Sequence, residues 1–219
     1  SQAVPHNAGD WYGFQASAGY LASLTRNIRE LHSHHPRVKQ LLGVRYLLAE
    51  KAAAGERLAL DSPGRLKVFE RDAFPRVWTV HELDRAPDAE ALRARLHDDA
   101  YNLRTRAPML GVPPDLERCA EADNARIVRW NPGEVEIVTR MACRGLVVLS
   151  DTWFPGWSAT VDGQPAEIHE VYGALRGVVA DAGARVVAMR YRPGTAVAGA
   201  AMSALGLMVM LAVWRWVPW

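Results

Sequence analysis

Cysteine is scarce in this sequence: Cys119 and Cys143 are its two cysteines in 219 residues. That is too few for a disulfide scaffold or a four-cysteine zinc site. Two free thiols, buried as small apolar side chains, are the expectation. A single bridge, which an oxidising compartment would permit, is the alternative. The sequence also lacks an excess of either charge. Lysine and arginine total 26 against 24 aspartates and glutamates. No basic block stands out, which argues against a nucleic-acid partner. There is no G-x-S-x-G elbow, phosphate-binding loop, H-E-x-x-H helix or dinucleotide-binding glycine pattern. No residue is therefore assigned a catalytic role, and no cofactor is expected. The opening "SQAVPHNAGDWYGF" has neither the basic n-region nor the apolar h-region of a signal peptide. Because the chain begins at Ser1, the expectation is that a segment was removed upstream or that the sequence is a fragment.

What is present is plainest near the C-terminal end. "TAVAGAAMSALGLMVMLAVW", residues 195–214, runs without a charge. At about 1.5 Å of rise per residue it spans roughly 30 Å, the hydrocarbon thickness of a bilayer. Gly199, Ser203 and Gly206 are small residues of the kind that let membrane helices approach closely. Trp214, Trp216 and Trp219, with Arg215 among them, stand where an aromatic belt belongs. The expectation is a transmembrane helix over 195–214. Arg190 and Arg192 precede it and Arg215 follows, so flanking charge does not set its orientation.

Before that helix the sequence divides into two kinds of pattern. Leu21, Leu24, Ile28 and Leu31 recur at helical spacing over 17–35, and Val38, Leu41 and Leu42 predict a short helix ending at Gly43. "VRYLLAE" (44–50) reads as a strand, and "RLKVFE" (65–70) with "PRVWTVHE" (75–82) reads as a strand pair. Residues 87–98 predict a helix with Pro87 at its first position and Ala89, Leu92 and Leu96 along one stripe. Three prolines in "APMLGVPPDL" (107–116) mark a linker or boundary. Beyond it seven short runs, from "NARIVRWN" to "RVVAMRYRP", alternate with turn residues. They predict an antiparallel sandwich over 120–193, with a hairpin at Asp162-Gly163. In "EVEIVTR", Val135, Ile137 and Thr139 share one face, as in a sheet with one wet side. The expected class is α+β: a mixed α/β part over 1–112, the sandwich, then one membrane helix.

Two clusters invite a chemical reading. His32, His34 and His35 lack a carboxylate at ligand spacing, and adjacent residues cannot share a helix face, so they read as a solvated helix end and not as a metal site. "SDTWFPGW" (150–157) places Asp151 between an apolar strand and an aromatic turn. Asp162 and Glu170 are the acids available to complete a carboxylate pair, but turn formation accounts for Asp151 and Asp162. Trp153 and Trp157, expected to point in related directions around Pro155-Gly156, could stack on a sugar ring whose hydroxyls Asp151 would accept. They could equally close the end of the sandwich or touch the membrane surface, and packing is the first reading. Asp151, Trp153 and Trp157 are the candidate glycan contacts.

Taken in order, "LLGVRYLLAE", "LKVFERDAFPRVWTV", "GLVVLSDTWFPGWSATVDGQPAEI" and the "YRP" leading into the apolar helix resemble the C-terminal region of YfhO-like bacterial membrane proteins. The likeness runs from about Leu41 to Leu207 and thins through 83–123. It implies a polytopic parent of the GT-C glycosyltransferase type in the bacterial cell membrane. Such a parent moves sugar from a polyprenyl-phosphate donor to cell-envelope polymers. The present chain would be its non-catalytic extracytoplasmic part plus the last span, since nothing here matches the early loop that holds the family's catalytic acid. A membrane-tethered glycan-binding or scaffold domain without transferase activity is the alternative.

Overall fold

The computed structural model describes residues 25–119 and 121–216. Its elements, in chain order, begin with helices α1 (Arg26–Glu30) and α2 (Pro36–Leu41) and strands β1 (Tyr46–Ala49), β2 (Arg57–Leu60) and β3 (Lys67–Glu70). β4 (Val77–Val80), β5 (Glu82–Arg85), helix α3 (Ala89–His97) and β6 (Arg106–Met109) follow. Next come β7 (Asn124–Asn131), β8 (Glu134–Met141), β9 (Gly145–Thr152), β10 (Trp157–Val161) and β11 (Gln164–Ala166). β12 (Ile168–Val171), β13 (Leu175–Ala180), β14 (Gly183–Tyr191) and helix α4 (Gly194–Trp216) are the last of the described elements. The class is α+β.

Strand β9 shows how the layers stack. Leu146, Val147, Val148 and Leu149 are all buried, without alternation. A strand reads this way when both faces of its sheet are covered. Val147 and Leu149 enter one apolar cluster with Val135, Ile137, Val187 and Met189 of β8 and β14. Leu146 and Val148 enter the other, with Leu31, Val38, Leu41, Leu92 and Leu96 from the helical segments. The six-stranded sheet β4-β9-β13-β12-β6-β5 is thus the middle layer. The five-stranded sheet β11-β10-β14-β8-β7 covers one face and the helices cover the other. In β8, whose sheet is outermost, Val135, Ile137 and Thr139 are buried while alternate residues are not, as the one-sided pattern predicted.

The sandwich is wider than the 120–193 of the sequence reading. Its middle sheet takes β4, β5 and β6 from the earlier part of the chain, and β5 pairs with β6 in parallel. Residues 106–109 are therefore a strand, not a linker: Ala107, Pro108 and Met109 are buried beside β5 and β12. Proline is tolerated there where a strand needs no ladder donor at that position. The expected pair of 65–70 with 75–82 does not form. Both edges of β3 are occupied, by β1 and β2, and β4 pairs with β9 instead. The small β1-β3-β2 sheet leaves Tyr46, Leu48, Leu58 and Leu60 exposed.

Helix α3 starts two residues later than expected, at Ala89. Asp88 is its N-cap and accepts from the Ala91 amide at 2.8 Å, so Pro87 lies outside the helix. Leu92 and Leu96 are buried and Ala89 is exposed. Of the helix predicted over 17–35, residues 17–24 lie outside the described residues; α1 ends at Glu30, and residues 31–35 are turn instead of helix, with His32 at a positive φ of 53°. The Asp162-Gly163 hairpin is present: both residues have positive φ (51° and 80°), and Val161 faces Gln164 across the turn.

Candidate functional site

The turn that joins β9 to β10 is tied down by backbone and rings together. The Trp153 amide donates to the Ala174 carbonyl at 2.6 Å, and its own carbonyl accepts from Asn27 Nδ2 at 2.7 Å. Asn27 also donates to Glu170 at 3.0 Å, so α1 is fastened to this end of the sandwich. Gly156 has φ +105°, and a Cβ there would come within 2.7 Å of Tyr191, so both backbone and space call for glycine. The rings grouped at the turn are Phe154, Trp157 and Tyr191, with centroids 5.2–6.2 Å apart. Trp153 is not in this group of rings. Tyr191 was missed in the sequence; its signal was the "YRP" directly before the apolar helix.

Beneath Trp157 lies an ion network. Asp151 on β9 accepts from Arg76, just before β4, at 2.6 Å and from Arg176 on β13 at 2.9 Å. These are three neighbouring strands, so one carboxylate bridges both guanidinium groups that flank it and leaves the trio one positive charge in excess. The Arg176 side chain is 3% exposed, and its guanidinium carbon sits 3.8 Å from the Trp157 ring centroid. Arg76 lies over Trp130 at 5.2 Å. Burial lowers the pKa of Arg176 to about 10, with Asp151 opposing the fall and Arg76 adding to it, so the group stays charged at neutral pH. Both oxygens of Asp151 are engaged by arginine, and one face of Trp157 is covered. Asp162 and Glu170 are held elsewhere: Asp162 pairs with Arg185 and accepts from the Val186 amide, and Glu170 bonds Asn27.

A second cluster lies at the far end of β4. Cys119 and Cys143 form a disulfide, which corrects the expectation of free thiols. The pairing follows from tertiary placement: the irregular stretch 112–119 runs beside the β8–β9 turn, where the Glu117 amide donates to the Arg144 carbonyl at 2.9 Å. His81 Nδ1 lies 3.6 Å from the Cys143 sulfur and 3.8 Å from that of Cys119. His81 Nε2 lies 2.7 Å from Asp123, whose other oxygen accepts from the Ala142 amide at 2.7 Å. A Cβ on residue 145 would fall 2.6 Å from the His81 ring, so Gly145 makes room for it. Nothing in the sequence reading singled out His81. Its signal was weak, a lone histidine ending a strand.

Between β4 and β7 runs an open cleft of about 340 Å³, lined by Phe74, Trp78, Arg104, Asp123 and Asn124 among others. Arg104 lies over the Phe74 ring at 4.5 Å and pairs with Asp72 at 2.9 Å. Phe74 and Trp78 are buried in its wall, Phe74 beneath that guanidinium.

The histidines near α2 form a contact no spacing argument revealed. His35 stacks on His97 at 3.9 Å, and His32 lies 5.9 Å away from the same ring. His32 and His34 are exposed, as for a solvated helix end. Burial lowers the pKa of His97, His35 lowers it further, and the Leu31 backbone opposes this. Burial also lowers His169, against Glu167. Each histidine binds its proton more readily unfolded than folded, so stability is present above the usual histidine value near 6.5 and falls as pH drops below it. The melting temperature of the full chain in detergent is expected to fall between pH 7 and pH 5. His97→Gln should flatten that slope, and an unchanged slope would assign it to other groups.

Comparison with protein families, with characterised proteins and with solved structures yields no match for this chain.

Proposed function

We propose that this chain is the extracytoplasmic, non-catalytic C-terminal part of a polytopic YfhO-like protein in a bacterial cell membrane. The parent would transfer sugar from a polyprenyl-phosphate donor to envelope polymers. One observation carries the membrane part of this reading: helix α4 stands clear of the folded layers, and its 19-residue stretch Ala198–Trp216, long and apolar enough to cross a membrane, has no part buried. That stretch spans about 28 Å at the helical rise, close to a bilayer's hydrocarbon core. A core helix of a soluble protein would be covered by its own fold. Trp214 and Trp216 at its end are 67% and 84% exposed, and the headgroup region suits such amphipathic rings. The Cys119–Cys143 disulfide favours an oxidising compartment, hence the outer side. The motifs "FPRVW", "LSDTWFPGW" and "YRP" add the family resemblance.

Protease added to spheroplasts carrying the full-length parent is expected to digest the layers spanned by 25–193. Protection until lysis would overturn the orientation. The open cleft between β4 and β7, with polar groups in its wall, favours a second reading, a membrane-tethered glycan-binding domain with no transferase attached. Of the three candidate glycan contacts, Trp153 is then the one not engaged by the arginine network. About ten or more apolar spans encoded upstream of Ser1 would support the polytopic parent, whereas a signal peptide directly before it would support the tethered domain.

A further inference from the structure

We propose that His81, Cys119 and Cys143 form a redox-gated site for a thiophilic divalent cation of the zinc class, closed by the disulfide and opened when a dithiol reduces it. The three donor atoms lie within 4.8 Å of one another. In a tetrahedral zinc site, with Zn–S near 2.3 Å and Zn–N near 2.0–2.1 Å, a nitrogen and a sulfur ligand stand about 3.6 Å apart. His81 Nδ1 already stands 3.6 Å and 3.8 Å from the two sulfurs. Three movements complete the site: the sulfurs must part to about 3.8 Å, Cys119 Sγ, which is also 3.9 Å from Nε2, must swing toward the Nδ1 side of the ring, and the Glu117 carbonyl must withdraw from Nδ1.

The histidine is built as a ligand would be. A metal-bound imidazole usually donates its other ring N–H to a carboxylate, which fixes the tautomer and aims the free nitrogen at the metal. Here Asp123 holds Nε2 at 2.7 Å, and its side chain is 2% exposed. Asp123 is itself fixed by the Ala142 amide, and Gly145 leaves the ring its space. In the disulfide form the Glu117 carbonyl lies 3.0 Å from Nδ1 and occupies the direction a cation would take. Two thiolates and one imidazole leave a fourth position for water or for a ligand, the arrangement of catalytic rather than structural zinc.

Opening is ordinary thiol–disulfide exchange with an external dithiol of the thioredoxin class. Its thiolate attacks one sulfur, the released cysteine leaves as thiolate, and the second thiol of the reductant resolves the mixed disulfide. The products are two cysteine thiols and the oxidised reductant. Metal binding then displaces both thiol protons to solvent. Both cysteines are part-exposed, so the bridge is open to attack. In the oxidising compartment proposed above, the bridge is the resting state and metal binding reports reduction.

The test is cobalt(II) titration of the full chain in detergent, before and after reduction with a phosphine followed by its removal. The reduced protein is expected to bind one equivalent, with thiolate-to-cobalt absorption in the near ultraviolet and the visible bands of a tetrahedral ion. The disulfide form should show neither. His81→Gln and Asp123→Asn should each weaken cobalt binding roughly 10–100-fold while leaving both thiols titratable. Absence of thiolate-to-cobalt bands in the reduced protein would overturn the proposal. So would cobalt affinity unchanged in both variants, since two free thiols alone would then explain the binding.

Discussion

Asp151→Ala is expected to cost about 3–5 kcal/mol of stability, the range for breaking a buried ion pair from one side. The substitution strands two guanidinium groups, and Arg176 is the one that cannot escape, since its side chain is 3% exposed beneath Trp157. Among the described residues its Nε, the Nε of Arg76 and the Trp157 indole nitrogen are already buried without a hydrogen-bond partner, so no spare acceptor takes over from the carboxylate. Asp151→Asn keeps the shape and one acceptor oxygen but removes the charge, and it should fall between parent and alanine variant. Denaturant unfolding of the full chain in detergent reads the difference. A loss below about 1 kcal/mol, the scale of an exposed pair, would mean that water reaches Arg176.

Trp157→Ala is expected to cost about 3 kcal/mol, the low end for removing a large aromatic because the ring is only half-buried. It takes away the packing against Phe154 and Tyr191 and the cover over Arg176. A cation held against an aromatic face away from water contributes about 2 kcal/mol of this kind of loss. Trp157→Phe should recover part of the stability, since a smaller ring still covers the guanidinium. Trp153→Ala should cost less than Trp157→Ala, because the backbone bonds at 153 survive the change. If the two alanine variants melt like the parent and both lose binding to envelope glycan fragments, the turn is a ligand site and the packing role fails.

Periodicity carried the sequence reading wherever a residue's surroundings repeat along its own strand or helix. The strands after residue 120, the Asp162-Gly163 hairpin and the apolar run that became α4 were legible for that reason. Each depends on alternation, a turn residue or length, all written in consecutive positions. The unbroken run of β9 was legible as a buried strand but not as the strand between two cores, because burial does not say what does the burying.

Pairing across distance was decided only by the tertiary structure. β4 abandons its neighbour β3 for β9, and "RAPM" becomes a strand despite its proline, because edges and free faces exist only once the sheets have formed. The same holds for the sites. Asp151 was visible as an acid beside an aromatic turn, but its partners Arg76 and Arg176 lie 75 and 25 residues away. His81 meets Cys119 and Cys143 from 38 and 62 residues away. The sequence by itself determined the strand grammar, the class and a C-terminal helix long enough to cross a membrane. Which charges neutralise one another, which cysteines bond and which rings share a turn were decided by the stacking of three layers, since such contacts depend on distance in space and leave no period along the chain.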